Sequence, residues 1–200
     1  MSIAMFSAQI PEMRLCTRQR SMQKRPFLPF LTLVLNCSVW LLYGWLSHTL
    51  AILVTNGYGF VCAIYYCSVF LTYDDDAERA KQRQQLGAVA AFVLFVAVYA
   101  ARDHVTATPI VGLLASSFAI AVFASPLAQI VHVVKTKSVA LLSFPFAVAS
   151  VVSSGLWTAF GVLAGDGNVY VPNSIAFLLS CAQLSLFALY GRAAPKTLEV

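Results

Sequence analysis

Asn36-Cys-Ser-Val-Trp40-Leu-Leu-Tyr-Gly44, followed by Asn56, returns later in the chain as Ser153-Ser-Gly-Leu-Trp157-Thr-Ala-Phe-Gly161, followed by Asn173. In both stretches the Gly comes four residues after the Trp, and the Asn twelve residues after the Gly. The offset of 117 residues also pairs Ile3 with Ile120, Ala4 with Ala121, Phe6 with Phe123, Ser21 with Ser138, Phe60 with Phe177, Phe70 with Phe187 and Tyr73 with Tyr190. This is an internal duplication. When the sequence around it is apolar, a duplication that repeats polar and aromatic residues at one depth points to two half-sites facing each other across a pathway.

The surroundings are apolar throughout. Of the 200 residues 60% are hydrophobic and 10% charged, with a mean hydropathy of +0.78, which excludes an ordinary soluble domain and indicates an integral membrane protein. The net charge of +5 sits in loops between apolar runs, with no basic stripe interleaved with aromatics, so nucleic acid is not an expected partner. The cysteines (Cys16, Cys37, Cys62, Cys67, Cys181) are odd in number, lack metal-ligand spacing and mostly fall inside apolar segments. They read as small buried hydrophobes, and no metal or cofactor is expected.

Crossing a bilayer core takes about 20 helical residues. The runs 27–46, 50–72, 86–101, 108–131, 141–164 and 168–190 meet or approach that length, the third being short. Residues 1–13 are apolar but reach only about 20 Å as a helix. Their partner at the repeat offset is the second half of 108–131, so they read as the cytoplasmic half of a first helix whose beginning is missing; a signal peptide fits less well, for want of a basic leader and a cleavage site. The expected fold is an all-α membrane protein: two parallel three-helix bundles joined by a linker helix, in the order 3+1+3, with the first helix incomplete. The expected boundaries are 1–72 for the first repeat, 73–104 for a cytoplasmic loop and linker helix, 105–191 for the second repeat and 192–200 for a cytoplasmic tail.

Orientation follows from charge. With the first helix starting outside, Arg14, Arg18, Arg20, Lys24, Arg25, Arg79, Lys81, Arg83, Lys135, Lys137, Arg192 and Lys196 are cytoplasmic and Arg102 alone is outside. Asp74-Asp75-Asp76 with Glu78 reads as a solvated helix start, since no His or Cys accompanies it.

Trp40 lies near the outer end of one expected helix and Asn56 near the start of the next, antiparallel one, so both sit roughly 9 Å below the outer surface. The same arithmetic puts Trp157 and Asn173 at that depth in the second repeat. Asn36 and Ser153 stand four residues before each Trp, on the same helical face. Such a layer suits an uncharged polyhydroxylated ligand, because carboxamides both donate and accept while apolar C–H faces stack on indoles. A charged substrate would call for a counter-charge, and none occurs at this depth. A single Asn reads as interhelical glue and a single Trp as an interfacial anchor; recurrence of the whole set favours binding.

Pro11, Pro29, Pro126 and Pro145 lie in or at the start of helices flanking the two basic loops, where each can kink its helix or mark its beginning. Tyr43, just before Gly44, and Asp166, in the short outer loop of the second repeat, are candidates for closing the outer mouth; a plain turn role for Gly165-Asp166-Gly167 competes. No enzyme is expected: Ser116-Ser117 and His104 are poorly placed for an intramembrane protease, and His132 reads as a helix-end residue.

Phe27-Leu-Pro-Phe-Leu31, Leu35-Asn-Cys-Ser-Val-Trp-Leu-Leu-Tyr-Gly44 and Val54-Thr-Asn-Gly-Tyr-Gly-Phe60 resemble the first repeat of the SWEET sugar transporters. Ser125-Pro-Leu-Ala-Gln129, Thr136-Lys-Ser-Val139 and Val171-Pro-Asn173 resemble the second, and Phe6-Ser-Ala8 and Ser143-Phe-Pro145 are closer to animal members than to plant ones. The resemblance covers nearly the whole chain. It implies a facilitator of mono- or disaccharides working by alternating access without ion coupling, in the plasma membrane, with the Golgi or another endomembrane as the alternative. It further implies that Asn56, Asn173, Trp40, Trp157, Asn36 and Ser153 bind substrate, that Ser2, Met5 and Val122 line the pathway, and that Pro29, Pro126 and Pro145 are hinges. Tyr43 and Asp166 fall on outer-gate positions. The fourth hinge position holds Gln9, with Pro11 two residues late, on another face.

The implied partners are a sugar, the lipid bilayer and, where another subunit completes the first helix, a second copy in a homo-oligomer. Two other readings use the same architecture: a Pro-Gln loop transporter of amino acids or cofactors, against which the absence of a Pro-Gln dipeptide and of a buried charge argues, and a non-transporting membrane receptor or assembly factor.

Overall fold

The computed structural model describes residues 2–140 and 142–191. Leu141 and the expected tail 192–200, with Arg192 and Lys196, lie outside the described residues. Within them the chain is helical: α1 (Ser2–Ser7), α2 (Ile10–Gln19), α3 (Leu28–Leu46), α4 (Leu50–Tyr73), α5 (Asp76–Arg102), α6 (His104–Val122), α7 (Ala124–Thr136), α8 (Phe144–Ala164) and α9 (Gly167–Tyr190). Six stretches are long and apolar enough to cross a bilayer, namely α3, α4, α5, α6 with α7, α8 and α9. With α1 and α2 counted as one bent element, the order is three, one, three, and the fold is an all-α membrane fold.

Helix starts differ from the hydropathy reading where capping chemistry outweighs apolarity. The short span expected at 86–101 is the 27-residue α5, because the Asp75 carboxylate accepts the Glu78 N–H at 2.9 Å and Ala, Glu, Lys, Arg and Gln then carry the helix through polar sequence. Likewise α6 begins at His104 rather than 108, capped by Asp103, which accepts the N–H groups of Val105 at 3.1 Å and Thr106 at 3.2 Å. The fragment expected to end at residue 13 runs on to Gln19 as two helices, and the expected span 108–131 continues to Thr136 as two.

The breaks have one cause. A proline cannot donate to the carbonyl four residues back, and its ring crowds that carbonyl. Counting four back from Pro126 gives Val122, the last residue of α6; four back from Pro11 gives Ser7, the last residue of α1. Pro11 therefore breaks its helix as Pro126 does, and the break has moved along the chain with the proline. Tight bonds bridge each corner, Ala8 N–H to Met5 O at 3.2 Å and Phe123 N–H to Ile120 O at 2.9 Å.

The chain packs as two compact units, one spanning Ser2–Ala115 and the other running from Ser116 onward, so that α6 contributes to each. In the N-terminal unit Met13, Cys16, Met22, Phe27, Leu31, Tyr66 and Phe70 form a buried cluster between α2, α3 and α4. In the C-terminal unit α8 packs lengthwise on α9, with α7 beside α9. The duplication is visible in side-chain geometry. Phe27 meets Phe70 edge-on at 5.3 Å in the first unit, and their counterparts Phe144 and Phe187 meet edge-on at 5.3 Å in the second. It is visible in the backbone as well: the left-handed cap Arg20 (φ 52°) recurs as Lys137 (φ 56°), and His48 (φ 53°) recurs as Gly165 (φ 67°).

The acidic run does more than meet solvent. Asp75 caps α5 and Asp76 pairs with Arg79, as expected of a helix start, but Asp74 accepts the Nε2 of the buried Gln82 at 2.6 Å. All five cysteines are free thiols, and four are buried.

Candidate functional site

The glycine of each repeated motif is a point of close approach between two helices. A Cβ on Gly44 would stand 2.9 Å from the Ile52 side chain, and one on Gly161 would stand 2.6 Å from the Tyr170 backbone nitrogen. No side chain fits at Gly161 without moving α9, so Gly is there for approach rather than for flexibility. Each helix before the pair closes with a six-to-one bond, Thr49 N–H to Gly44 O at 2.9 Å and Asp166 N–H to Gly161 O at 2.8 Å, and the chain turns straight into the next helix.

This packing sets the register of both hairpins. In the first, Gly44 lies opposite Ile52, and the Cδ2 of Leu41 is 3.9 Å from the position of a Cβ on Gly57. Trp40 and Asn56 thereby fall at one level of the α3–α4 pair. In the second hairpin Gly161 lies against Tyr170 and Gly155 against Phe177, which brings Trp157 level with Asn173 on α8 and α9.

Both carboxamides are held the same way. Asn56 Nδ2 donates to the Ile52 carbonyl at 3.0 Å, and Asn173 Nδ2 donates to the Val169 carbonyl at 2.7 Å. Each bond uses one amide hydrogen, and a carboxamide has a second N–H and an Oδ1 besides. The indoles are braced alike too: Trp40 meets Tyr43 edge-on at 5.8 Å, and Trp157 meets Phe160, the counterpart of Tyr43, edge-on at 5.6 Å. Trp40 is buried and Trp157 half-buried. No Asp, Glu, Lys or Arg occurs in α3, α4, α8 or α9, so the indole–amide layer of each hairpin is uncharged.

Of the further candidates, Asn36 is half-buried in α3 with its Oδ1 enclosed and lacking any hydrogen-bond partner, and Ser153 is buried in α8. Met5 and Val122 lie at the ends of α1 and α6, next to the two proline breaks. Nothing is described of the Ser2 side chain. Pro29 and Pro145 stand in the first turns of α3 and α8, where the missing N–H costs no helical bond, so they start helices; Pro11 and Pro126 are the ones that interrupt them. Asp166 is the N-cap of α9, accepting the Asn168 N–H at 3.0 Å, and Tyr43 is buried near the end of α3.

Two residues that sequence reasoning passed over tie α4 to the first bent helix. Tyr66 donates to the Phe6 carbonyl at 2.5 Å, and the Tyr58 hydroxyl lies 2.6 Å from Ser7 Oγ. The duplication could not reveal them, because the counterpart of Tyr66 is Gln183 and that of Tyr58 is Ile175. Gln183 instead reaches Gln129 on α7, Nε2 to Oε1, at 3.4 Å.

The model of a family described as sugar efflux transporters for intercellular exchange matches residues 1–78 and 109–194, leaving out most of α5. Among similar proteins, the bidirectional sugar transporter SWEET4 of Oryza sativa subsp. indica is 28% identical over 99% of this chain and 79% of its own length. SWEET7b of the same plant is 30% identical over 98% of this chain and 76% of its own length, and SWEET7 of Arabidopsis thaliana 29% over 96% and 77%. A solved eukaryotic SWEET transporter is 28% identical and superimposes with a TM-score of 0.88, covering 95% of this chain and 91% of that one. This chain belongs to the SWEET family of sugar efflux transporters.

Proposed function

We propose that this integral membrane protein carries mono- or disaccharides down their gradient by alternating access, as a uniporter. In this reading Asn56 and Asn173 bind sugar hydroxyls, Trp40 and Trp157 stack on the apolar sugar faces, and Asn36, Ser153, Met5 and Val122 line the route. Pro11 and Pro126, and to a lesser degree Pro29 and Pro145, are the points at which helices swing, and Tyr43 and Asp166 serve the gate at the opposite end. The basic loops are placed in the cytoplasm and the protein in the plasma membrane, with the Golgi as the alternative.

The observation that carries the reading is the recurrence, in both glycine-packed hairpins, of one indole level with one carboxamide in a layer without charge. An ion-coupled carrier or one for charged substrates commonly carries a buried charge in such a layer. The test is uptake of radiolabelled glucose and sucrose into proteoliposomes holding the purified chain. Saturable flux in both directions, indifferent to a pH gradient, is expected. Flux that requires a pH gradient favours a Pro-Gln loop type of carrier, and no flux of any sugar leaves the receptor or assembly-factor reading.

A further inference from the structure

We infer that Thr158 is a positioning residue for Asn173, acting from the neighbouring helix; the inference rests on the sugar-binding role proposed above for Asn173. In these helices serine and threonine hydroxyls characteristically bond back to their own helix. Ser38 donates to the Val34 carbonyl at 2.7 Å, Thr55 to Ala51 at 2.7 Å, Ser154 to Ser150 at 2.6 Å and Ser174 to Tyr170 at 2.7 Å. The Thr158 hydroxyl is buried and makes no hydrogen bond, although the Ser154 carbonyl stands one turn away. An enclosed, unpaired hydroxyl is costly enough to need a reason.

Its place on α8 supplies one. Gly155 and Gly161 both face α9, against Phe177 and Tyr170. Thr158 lies midway between them and, at about 100° per residue, about 60° of helical arc from each, so it faces α9 as well. The level it faces is midway between 170 and 177, at residues 173 and 174. The first repeat confirms this register directly: Leu41 and Gly57, the counterparts of Thr158 and Ser174, face each other with the Leu41 Cδ2 3.9 Å from the Gly57 Cβ position. The second repeat thus presents a hydroxyl where the first presents a leucine methyl.

Of the two polar residues at that level, Ser174 has committed its hydroxyl to Tyr170, whereas Asn173 is tied only through Nδ2. When a sugar hydroxyl competes with the Val169 carbonyl for that amide, the carboxamide must turn. A Thr158 hydroxyl donating to Asn173 Oδ1 then fixes its plane with both N–H groups toward the ligand, a support Asn56 lacks because Leu41 stands behind it.

The test is glucose transport by the full chain in proteoliposomes. Thr158→Val removes the hydroxyl at nearly constant shape and is expected to raise KM about 5- to 20-fold, with maximal rate and membrane abundance within about twofold of wild type. Thr158→Ser should restore the wild-type KM, and Thr158→Ala, should the valine variant fail to assemble, should show the same rise. An unchanged KM in Thr158→Val or Thr158→Ala, or a Ser174→Ala variant that reproduces the rise alone, overturns the inference while the wild-type flux stands. A wild-type chain with no flux removes the transport reading itself, and this inference with it.

Discussion

The Tyr66 hydroxyl donates to the Phe6 carbonyl at 2.5 Å across 60 residues of sequence, capping the last turn of α1 at the corner that Pro11 makes. Carbonyls at a helix end have no intrahelical partner, and a phenol from a packed neighbour is an effective substitute for one. In the second unit the counterpart of Tyr66 is Gln183, whose amide reaches Gln129 on α7 instead. Removing the phenol should therefore loosen one bent helix only. Tyr66→Phe is expected to lower stability by about 1–2 kcal/mol, seen as a lower Tm in nanodiscs, and Tyr58→Phe by less, because Ser7 Oγ also donates to Ile3 O at 2.9 Å. A Tyr66→Phe protein as stable as wild type contradicts the capping role.

The proposed binding layer makes a sharper demand. Asn173→Ala or Trp157→Ala should abolish sugar flux while the protein stays folded and in the membrane, as judged by monodisperse elution and an unchanged Tm. Wild-type flux in either variant excludes the assignment.

Three glycines should rank by what a methyl group meets. Gly161→Ala drives a Cβ into the Tyr170 backbone at 2.6 Å and is expected to destabilise by about 2–3 kcal/mol, with loss of flux as α8 and α9 separate. Gly44→Ala meets the Ile52 side chain at 2.9 Å rather than backbone, and should cost less than Gly161→Ala. Gly87→Ala, in α5 with nothing within 4 Å, should stabilise by about 0.5–1 kcal/mol. Thermal unfolding of the three variants side by side checks the order.

Pro126→Ala restores the donor to the Val122 carbonyl and removes the ring that crowds it, so α6 and α7 should join into one helix. Flux is expected to fall about tenfold with Tm unchanged or higher, the mark of a lost hinge rather than a damaged fold. Pro11→Ala should have the smaller effect, since Tyr66 and Tyr58 already hold that corner.

Acid should act on the α6 cap. The Thr106 hydroxyl, with the backbone N–H groups of Thr106 and Val105, holds the Asp103 carboxyl below the usual carboxylate range. A lowered pKa in the fold means that the stabilisation is present above the unfolded-state pKa and is lost as pH falls through the folded one. The start of α6 should therefore keep its amide-exchange protection through neutral pH and lose it only in strong acid, and Asp103→Asn should remove that acid dependence.

Much of this was legible before any coordinates. Spans α3, α4, α8 and α9 end within a few residues of the apolar runs, because in a bilayer apolarity and helicity are the same demand. The starts of α5 and α6 were not legible from hydropathy, since Asp75 and Asp103 begin helices through capping bonds that hydropathy does not count. Nor was the equivalence of Pro11 and Pro126, which the repeat offset obscures by two residues and the broken helices restore.

Duplication, membrane class and the paired Trp–Gly–Asn motif belong to the sequence alone, because periodic composition and a fixed offset need no contacts to be seen. Tertiary structure decided what each motif residue does: Gly44 and Gly161 let helices touch, Asn56 and Asn173 tie back to the preceding turn, and Tyr66, invisible to the repeat, caps a helix 60 residues away. Contacts between antiparallel helices depend on register and rotation, and a few tenths of an ångström at a glycine settle both. No one-dimensional pattern carries that information.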